Sequence, residues 1–224
     1  MKKVLFVVTS CDQKGDTGIP TGFNLSEVTH PLSVLEGAGI RVDIASIKGG
    51  AAPLDGLEDL NDPVNAKYWT DDEFRRKIEH TANLEDVDLN PYDAIFFAGG
   101  HGTMWDFPET PSVLSAIREI YEDGKIVSAV CHGPAAFVNA TLSDGTYLVA
   151  GKKVAAFTND EEEEEVQSTK VVPFLLAEAL EARGALHKQA PNWSNNTAVD
   201  DRLITGQNPQ SASSVGKALL TALT

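Results

Sequence analysis

The sequence predicts an α/β protein built on a doubly wound, mostly parallel sheet with helices on both faces. Short apolar runs rich in Val, Ile and Phe alternate with longer amphipathic stretches, which is the pattern of repeated strand–helix–strand units. Glycines follow several of the amphipathic stretches and indicate where those helices end. The 224 residues suffice for one such domain with a full apolar core, so we expect residues 1–224 to form a single domain.

Each element is justified by its local pattern of apolar residues and turn formers. Continuous apolar runs predict strands at residues 3–9, 41–46, 93–98, 126–130, 153–156 and 203–206. Amphipathic stretches predict helices at residues 25–38, 111–123, 171–183 and 213–223. Between the second and third strands, residues 48–90 are polar and interrupted by prolines. We expect this insertion to form a cap-like lid and not a second domain.

The composition argues against several classes of function. The chain carries 33 acidic and 18 basic residues, and its net charge of −15 disfavours nucleic acids and anionic membranes, which attract basic surfaces. Two cysteines are too few for a disulfide framework, and the first apolar run is too short to cross a bilayer, so we expect a cytoplasmic protein. The five histidines lack the spacing of metal ligands and no nucleotide-binding glycine motif is present. We therefore expect neither a metal nor a cofactor.

Residues 126–134, IVSAVCHGP, carry a cysteine from an apolar strand onto a Gly-Pro turn, after which a helix is expected to begin. Such a strand–turn–helix elbow exposes a nucleophile above the edge of a sheet. Free backbone N–H groups and the start of a helix favour a thiolate, so we expect the pKa of Cys131 to be lowered. The alternative is a buried cysteine that acts as a small apolar residue, but that role requires neither the adjacent His132 nor the turn.

The loops that follow the strands are the next candidates, because sites in doubly wound sheets lie beyond the carboxyl ends of the strands. Gly99, Gly100 and His101 follow the third strand directly. One glycine N–H, paired with that of His132, would form an oxyanion hole, and His101 would contact the substrate or cap the turn. Glu27 lies at the start of the first helix, where it either favours the helix N-terminus or transfers a proton near the thiol.

An acidic run, residues 160–165, follows the predicted strand at 153–156. Such a run is usually the solvated start of a helix. One of its carboxylates would nevertheless orient His132 and complete a Cys-His-acid relay, and spacing alone does not decide which one. Trp105 and Trp193 lie in loops, where they would wall a pocket or only cover the edges of the core.

The chain resembles the ThiJ/PfpI superfamily. The matching segments are AGGHGT at 98–103, AVCHGP at 129–134, SEVTHP at 26–31 and LITGQNP at 203–209. The long insertion, the segment GTMWDFP and the Thr-Asn pair before the acidic run resemble one branch in particular. That branch comprises heat-shock chaperone-like proteins with glutathione-independent glyoxalase, or glyoxalase III, activity.

The resemblance implies a flavodoxin-like fold, a triad of Cys131, His132 and an acid, a glutamate beside the sulfur and a homodimer. The matching glutamate is Glu27. By its position after Phe157 and Thr158, Glu162 best fits the triad acid. The alternatives in the unbroken run are Asp160, Glu161 and Glu163.

The predicted function is that of a lyase that converts methylglyoxal or a similar 2-oxoaldehyde to the 2-hydroxy acid, lactate, without a cofactor. Cys131 would form a hemithioacetal with the aldehyde, and the activity would protect against stress. The expected substrate and oxyanion contacts are Gly99, Gly100, His101 and Trp105. The alternatives are a holdase chaperone without turnover, which needs an exposed apolar patch, and a cysteine peptidase or amidase, which needs an open groove.

Overall fold

The computed structural model describes residues 2–55, 57–164 and 168–224. The strands are β1 Lys3–Val8, β2 Phe23–Asn24, β3 Arg41–Ser46, β4 Leu54–Asp55, β5 Ala82–Asn83, β6 Ala94–Phe97, β7 Ile126–Val130, β8 Lys153–Val154, β9 Leu186–His187, β10 Thr197–Asp200 and β11 Leu203–Gly206. The helices are α1 Leu25–Gly37, α2 Pro63–Trp69, α3 Asp72–Glu79, α4 Thr103–Asp106, α5 Pro111–Glu122, α6 Asn159–Glu164, α7 Leu176–Ala182 and α8 Ala212–Leu223.

Seven of these strands form the central sheet, in the order β10-β11-β7-β6-β1-β3-β5. All neighbours are parallel except β10, which pairs with β11 in the antiparallel direction at one edge. The strand order reverses direction between β1 and β6, as in doubly wound sheets. The predicted fold class is therefore confirmed, and the carboxyl ends of β1, β6 and β7 meet at the middle of one sheet edge.

The central strands are buried on both faces, which explains their continuous apolar sequences. Every residue of β1 after Lys3 is buried, and so is every residue of β6 and β7. Helices α1 and α8 pack against each other and onto β3, β7 and β11, while α5 packs onto β6 and β7. The helices thereby hold the sheet rigid around the strand ends.

Two expected elements are shorter than their sequence pattern suggests. The helix predicted at 171–183 begins only at Leu176, because Pro173 lacks an N–H and disfavours a helical conformation in the residue before it. The strand predicted at 153–156 is reduced to the two residues of β8, which pair with β9 outside the main sheet. The N–H that follows β8 donates instead to a threonine hydroxyl of β11.

The insertion at 48–90 forms a flank of the molecule and contributes a small part of the cavity wall. Helix α2 packs against α1 and α3, with Asn65 and Tyr68 buried, and α3 buries Phe74 and Ile78. Strand β5 extends the sheet edge beside β3. In the described part of the insertion, β4 is the element that reaches the cavity, because it pairs with β2 and brings Asp55 to the cavity wall.

None of the helices described in this fold combines the length and the apolar character that would let it cross a membrane.

Candidate active site

The elbow predicted after β7 is present and is centred on Cys131. Its backbone has φ of +61°, a left-handed conformation that is costly for any residue with a side chain. The N–H of Cys131 donates to the carbonyl of Gly206 at the end of β11, and its carbonyl accepts the N–H of Phe157 in the segment after β8, both at 2.9 Å. These two hydrogen bonds hold the strained residue from either side. A Cβ at Gly133 would lie 2.3 Å from the Phe97 carbonyl oxygen, which explains the glycine in the turn.

The helix expected after the elbow is a 3₁₀ segment, Gly133–Phe137. A segment of five residues aligns few peptide dipoles, so its positive end stabilises a thiolate less than a long α-helix would. The start of this segment therefore lowers the pKa of the Cys131 thiol less than the expected helix would.

The side chain of His132 lies between those of Cys131 and Glu162 and contacts both. The Cys131 Sγ lies 3.4 Å from His132 Nδ1, and His132 Nε2 lies 2.7 Å from Glu162 Oε2. All three residues are buried. A carboxylate partner on Nε2 favours the tautomer with the proton on that nitrogen, which leaves Nδ1 able to accept the thiol proton.

The other acids of the run have different surroundings. Asp160 accepts a hydrogen bond from the Gln189 amide at 3.0 Å, and Glu163 is exposed. Glu164 accepts the indole N–H of Trp193 at 2.7 Å. Glu165 lies outside the described residues. Of the described acids in the run, Glu162 is the one hydrogen-bonded to His132.

Glu161 has a role that the sequence pattern contained but that we did not assign. Its Oε2 accepts the N–H of Thr158 at 3.1 Å, and the Thr158 hydroxyl accepts the N–H of Glu161 at 3.0 Å. This reciprocal pair is the capping box of α6, and its sequence signature is Thr-x-x-Glu. Its Oε1 accepts from the Trp193 N–H, the Gln207 amide and the Asn208 amide at 2.9, 3.0 and 2.8 Å. The residue therefore ties the start of α6 to two loops of the site.

His101 completes the surroundings of the acid. Its Nε2 lies 3.0 Å from Glu162 Oε1, and its ring lies 4.3 Å from the His132 ring, centroid to centroid. Burial lowers the pKa of His101, and the neighbouring His132 lowers it further. Although burial opposes ionisation of Glu162, the two histidines hold its pKa well below the usual range. The acid is thus a carboxylate at neutral pH.

Glu27 is fully buried at the start of α1, beside the thiol of Cys131. Its Oε2 accepts the N–H of Gly99 at 2.8 Å, while its Oε1 has no hydrogen-bond partner among the described residues. Burial raises the pKa of Glu27 to about 8, so the carboxyl keeps its proton at neutral pH. It can therefore donate a proton toward the sulfur or toward a bound oxygen.

The expectation of a lowered thiol pKa is wrong for this structure. Burial raises the pKa of Cys131 well above its usual value, and a charge on Glu27 would raise it further. The N–H of His132 opposes this shift without outweighing it. The resting site therefore holds a thiol, and the thiolate must arise by transfer of the proton to His132.

These groups open into a cavity of about 180 Å³. Its lining consists of Lys14, Asn24, Glu27, Asp55, Gly100, His101, Cys131, His132, Phe157, Trp193 and Pro209. Gly99 lies behind the wall, where its N–H is bound by Glu27. Trp105, which we expected at the substrate, packs against Gly15 and is not part of the lining; Trp193 has that position.

The two residues expected to form the oxyanion hole, Gly100 and His132, line the cavity. Gly100 has φ of +105°, and a Cβ there would lie 2.3 Å from the Gly22 carbonyl oxygen, so only glycine fits. Its N–H donates to no other described residue. The N–H of His132 lies beside the sulfur. Gly100 and His132 both line the cavity beside Cys131, so their N–H groups remain the candidates for an oxyanion hole.

Two imidazoles and a carboxylate also converge, although the sequence spacing gave no sign of it. Ligand atoms of His101, His132 and Glu162 lie within 4.8 Å of one another. Such a set can hold a divalent metal ion. In this arrangement both histidines are hydrogen-bonded to Glu162, one to each carboxylate oxygen.

An elbow cysteine at the carboxyl edge of a doubly wound sheet has the position in which one class of α/β enzymes holds its nucleophile. Comparison with protein families makes the assignment specific. The chain belongs to the DJ-1/PfpI family, whose model matches residues 18–222. The family resemblance inferred from the motifs is thereby confirmed.

Individual relatives cover the chain almost end to end. Glyoxalase 3 of Candida albicans is 32% identical, over 99% of this chain and 98% of its own length. The crystal structure of Rapid Encystment Protein 24 kDa of Francisella tularensis matches with a TM-score of 0.96 and 40% identity, over 100% of both chains. The crystal structure of glyoxalase III from Candida albicans matches with a TM-score of 0.89 and 29% identity, over 100% of this chain and 98% of that one.

Proposed function

We propose that this protein is a glutathione-independent glyoxalase that converts methylglyoxal, or a similar 2-oxoaldehyde, to the 2-hydroxy acid. The observation that carries the proposal is a protonated carboxyl, Glu27, buried beside a thiol that a His-Glu pair can deprotonate. This pairing supplies both the nucleophile and the proton carrier that an internal oxidation–reduction needs. The names of the Candida albicans relatives support the same reaction.

The first step joins the sulfur to the aldehyde carbon. His132 takes the thiol proton, and Cys131 adds to the carbonyl carbon to form a C–S bond. The N–H groups of Gly100 and His132 stabilise the oxyanion that results. Glu27 then gives its proton to this oxygen and becomes a carboxylate, which leaves a neutral hemithioacetal.

The next steps move a proton from the first carbon of the substrate to the second. The Glu27 carboxylate takes the hydrogen of the first carbon, and His132 protonates the ketone oxygen to form an enediol. Glu27 returns the proton to the second carbon while His132 takes the hydroxyl proton of the first. The first carbon is thereby oxidised to a thioester and the second is reduced to an alcohol. Water, deprotonated by the Glu27 carboxylate, then adds to the thioester carbon, and the C–S bond breaks. The protonated His132 returns its proton to the sulfur, so the 2-hydroxy acid leaves and Cys131, His132 and Glu27 are restored to their starting states.

The size of the cavity favours this substrate class over a peptide. A space of about 180 Å³, walled by Trp193 and by Asp55 of β4, suits a small aldehyde better than an extended chain. A peptidase with the same three residues would need a groove that continues on both sides of the thiol.

The test is conversion of methylglyoxal by the purified protein without glutathione, with lactate as the readout. We expect the wild type to form lactate and Cys131→Ala to lose the activity by about a thousandfold or more. Cys11→Ser is the matched control, because it alters the other cysteine of the chain, and it should keep the activity. Absence of lactate with the wild type would reject the proposed function.

We further propose that residues 1–224 act as one domain, as a homodimer in the cytoplasm. One apolar core extends from β1 to α8, which supports a single domain. The dimer rests on the resemblance to the glyoxalase branch, and the location rests on the presence of two cysteines, too few for a disulfide framework. Light scattering of the purified protein tests the dimer, and cell fractionation tests the location.

A further inference from the structure

The loop between β1 and β2 places Lys14 in the wall of the cavity. The N–H of Lys14 donates to the Ile19 carbonyl at 2.9 Å, and the Lys14 carbonyl accepts the Thr17 hydroxyl at 2.7 Å. Both backbone groups of the lysine are therefore held inside the loop, and its side chain is half-buried. A contact made by this lysine costs less ordering entropy than one made from a flexible loop.

Two residues of α4 anchor the loop from outside. Asp106 Oδ2 accepts the Thr9 hydroxyl and the Ser10 N–H, both at 2.8 Å, where the loop leaves β1. The Trp105 indole packs against Gly15, where a Cβ would lie 3.3 Å from Nε1. Trp105 therefore supports the lysine-bearing loop from a position outside the cavity.

Lys14 supplies positive charge to a cavity in a strongly acidic protein. Other lysines form ion pairs with described residues, whereas Lys14 forms no ion pair with any described residue. Asp55, on the same wall, is within reach of the Thr21 hydroxyl at 3.4 Å, and Glu27 is protonated at neutral pH. Because the chain carries a net charge of −15, an ammonium in the cavity wall that forms no ion pair with the described residues is a distinctive point of attraction for an anion near the nucleophile.

We propose that Lys14 makes the cavity selective for 2-oxoaldehydes whose tail ends in a carboxylate. This selectivity rests on the proposed function, because the aldehyde reaches Cys131 while the tail contacts the ammonium. A single lysine is a compact point charge that matches one carboxylate, whereas a phosphate dianion calls for further donors. The small cavity limits the tail to a few carbons.

Steady-state kinetics with two aldehydes of similar length test the selectivity. 4,5-Dioxopentanoate carries the carboxylate, and 2-oxohexanal is its neutral counterpart. We expect Lys14→Met to lower the ratio of their kcat/KM values about fivefold, mainly through the KM of the carboxylate substrate. Lys14→Arg keeps the charge and should keep the ratio within about twofold.

Lys217→Met is the matched control, since it removes the same charge from an exposed position on α8. The ratio should not change in this variant. A ratio that is also unchanged in Lys14→Met overturns the proposal, and so does an equal fall in Lys217→Met.

Alkylation of Cys131 gives a second readout that does not require turnover. Iodoacetate and iodoacetamide differ in charge but little in size, and a Cys11→Ser background confines the reaction to one thiol. We expect Lys14→Met to slow iodoacetate relative to iodoacetamide about fivefold. Equal changes with both reagents overturn the role of Lys14. A wild type that converts methylglyoxal but neither longer aldehyde overturns the proposed selectivity and leaves the proposed function standing. A wild type that converts none of the three rejects the proposed function, and the alkylation ratio then decides separately whether the lysine attracts carboxylates.

Discussion

At the scale of single residues, Glu27 is the group whose chemistry the fold alters most. The first turn of α1 buries its carboxyl completely, with the N–H of Gly99 on one oxygen and the thiol of Cys131 beside it. Burial disfavours the charged form, so a residue that is usually an anion becomes a proton donor. The favourable effect of an acidic residue on a helix N-terminus requires the ionised form, which this site suppresses.

We expect Glu27→Gln to lower turnover of methylglyoxal at least a hundredfold, because an amide cannot exchange a proton with the substrate. In the wild type, kcat/KM should fall as pH rises through about 8, where Glu27 ionises and opposes the thiolate. Measurement of kcat/KM against pH checks both statements. Unchanged turnover in the variant would return Glu27 to a structural role. Glu119→Gln, exposed on α5, is the control.

Folding stability should report the same carboxyl. Burial raises the pKa of Glu27 from 4.5 to about 8, so between these values the folded protein holds a proton that the unfolded chain has released. The contribution is complete below about 4.5 and is lost as pH rises through about 8. We expect the free energy of unfolding in urea to decline less between about pH 5 and about pH 8 in Glu27→Gln than in the wild type. Parallel declines would contradict the raised pKa.

At the scale of elements, the short helix α6 gives neighbouring acidic residues different surroundings and therefore different roles. Thr158 and Glu161 form its capping box, and this fixes the register in which the next residue, Glu162, reaches His132. Glu163, one position further, faces solvent. Consecutive positions on a helix point in different directions, so neighbouring identical residues have unlike surroundings.

Replacing Glu162 should therefore cost much more than replacing its neighbour. We expect Glu162→Gln to lower kcat about a hundredfold, because His132 loses the partner that sets its tautomer and stabilises its charge. Glu163→Gln removes one charge from the same helix and should change kcat by less than about twofold. Steady-state kinetics of the two variants decide the matter. A kcat that is equally little changed in both variants would mean that Cys131 and His132 act without an acid partner.

Glu161 is expected to act as a positioning residue. In Glu161→Gln an amide nitrogen replaces an oxygen that accepts N–H groups, and we expect the free energy of unfolding to fall by about 1–3 kcal/mol. Because the N–H of Trp193 is one of these donors, the cavity wall should loosen and KM should rise more than kcat falls. Chemical denaturation and steady-state kinetics measure the two effects. A loss confined to kcat would instead place Glu161 in the chemistry.

At the scale of the whole molecule, the contact between α1 and α8 supports the site, because both helices pack against elements that carry site residues. A Cβ at Gly216 of α8 would lie 2.7 Å from the Cα of Pro31 in α1, so the two helix backbones approach closely. Glu27 lies in the first turn of α1, and α8 packs onto the elbow strand β7. Gly216 therefore allows α1 and α8 to pack closely on the same face of the sheet.

We expect Gly216→Ala to lower the free energy of unfolding by about 1–3 kcal/mol, because the added methyl group meets backbone that cannot move aside. Gly37→Ala, near the end of α1, is the matched control, since no atom lies within 4 Å of a Cβ there. That variant should leave stability unchanged or raise it slightly, because alanine has the higher helix propensity. Urea denaturation compares the two. Equal effects would mean that the helix contact is adaptable.

The sheet, the elbow and the family were predictable from the sequence, because each depends on a pattern of consecutive residues. Apolar runs mark β1, β6 and β7, and the Gly-Pro turn after Cys131 marks the elbow. The adjacent His132 needs no fold to lie near the thiol. The Thr-x-x-Glu signature before α6 was likewise readable, although we did not use it to separate Glu161 from Glu162.

Only the tertiary structure decided which distant side chains share the cavity and in which protonation state. Trp193 and not Trp105 lines the cavity, together with Lys14 from a polar loop and Asp55 from the two-residue strand β4, and neither segment has a periodic pattern. The raised pKa values of Glu27 and Cys131 depend on burial by many residues that are remote along the chain. Local patterns record the period of a strand or helix, whereas burial and the meeting of loops depend on how all the elements pack together.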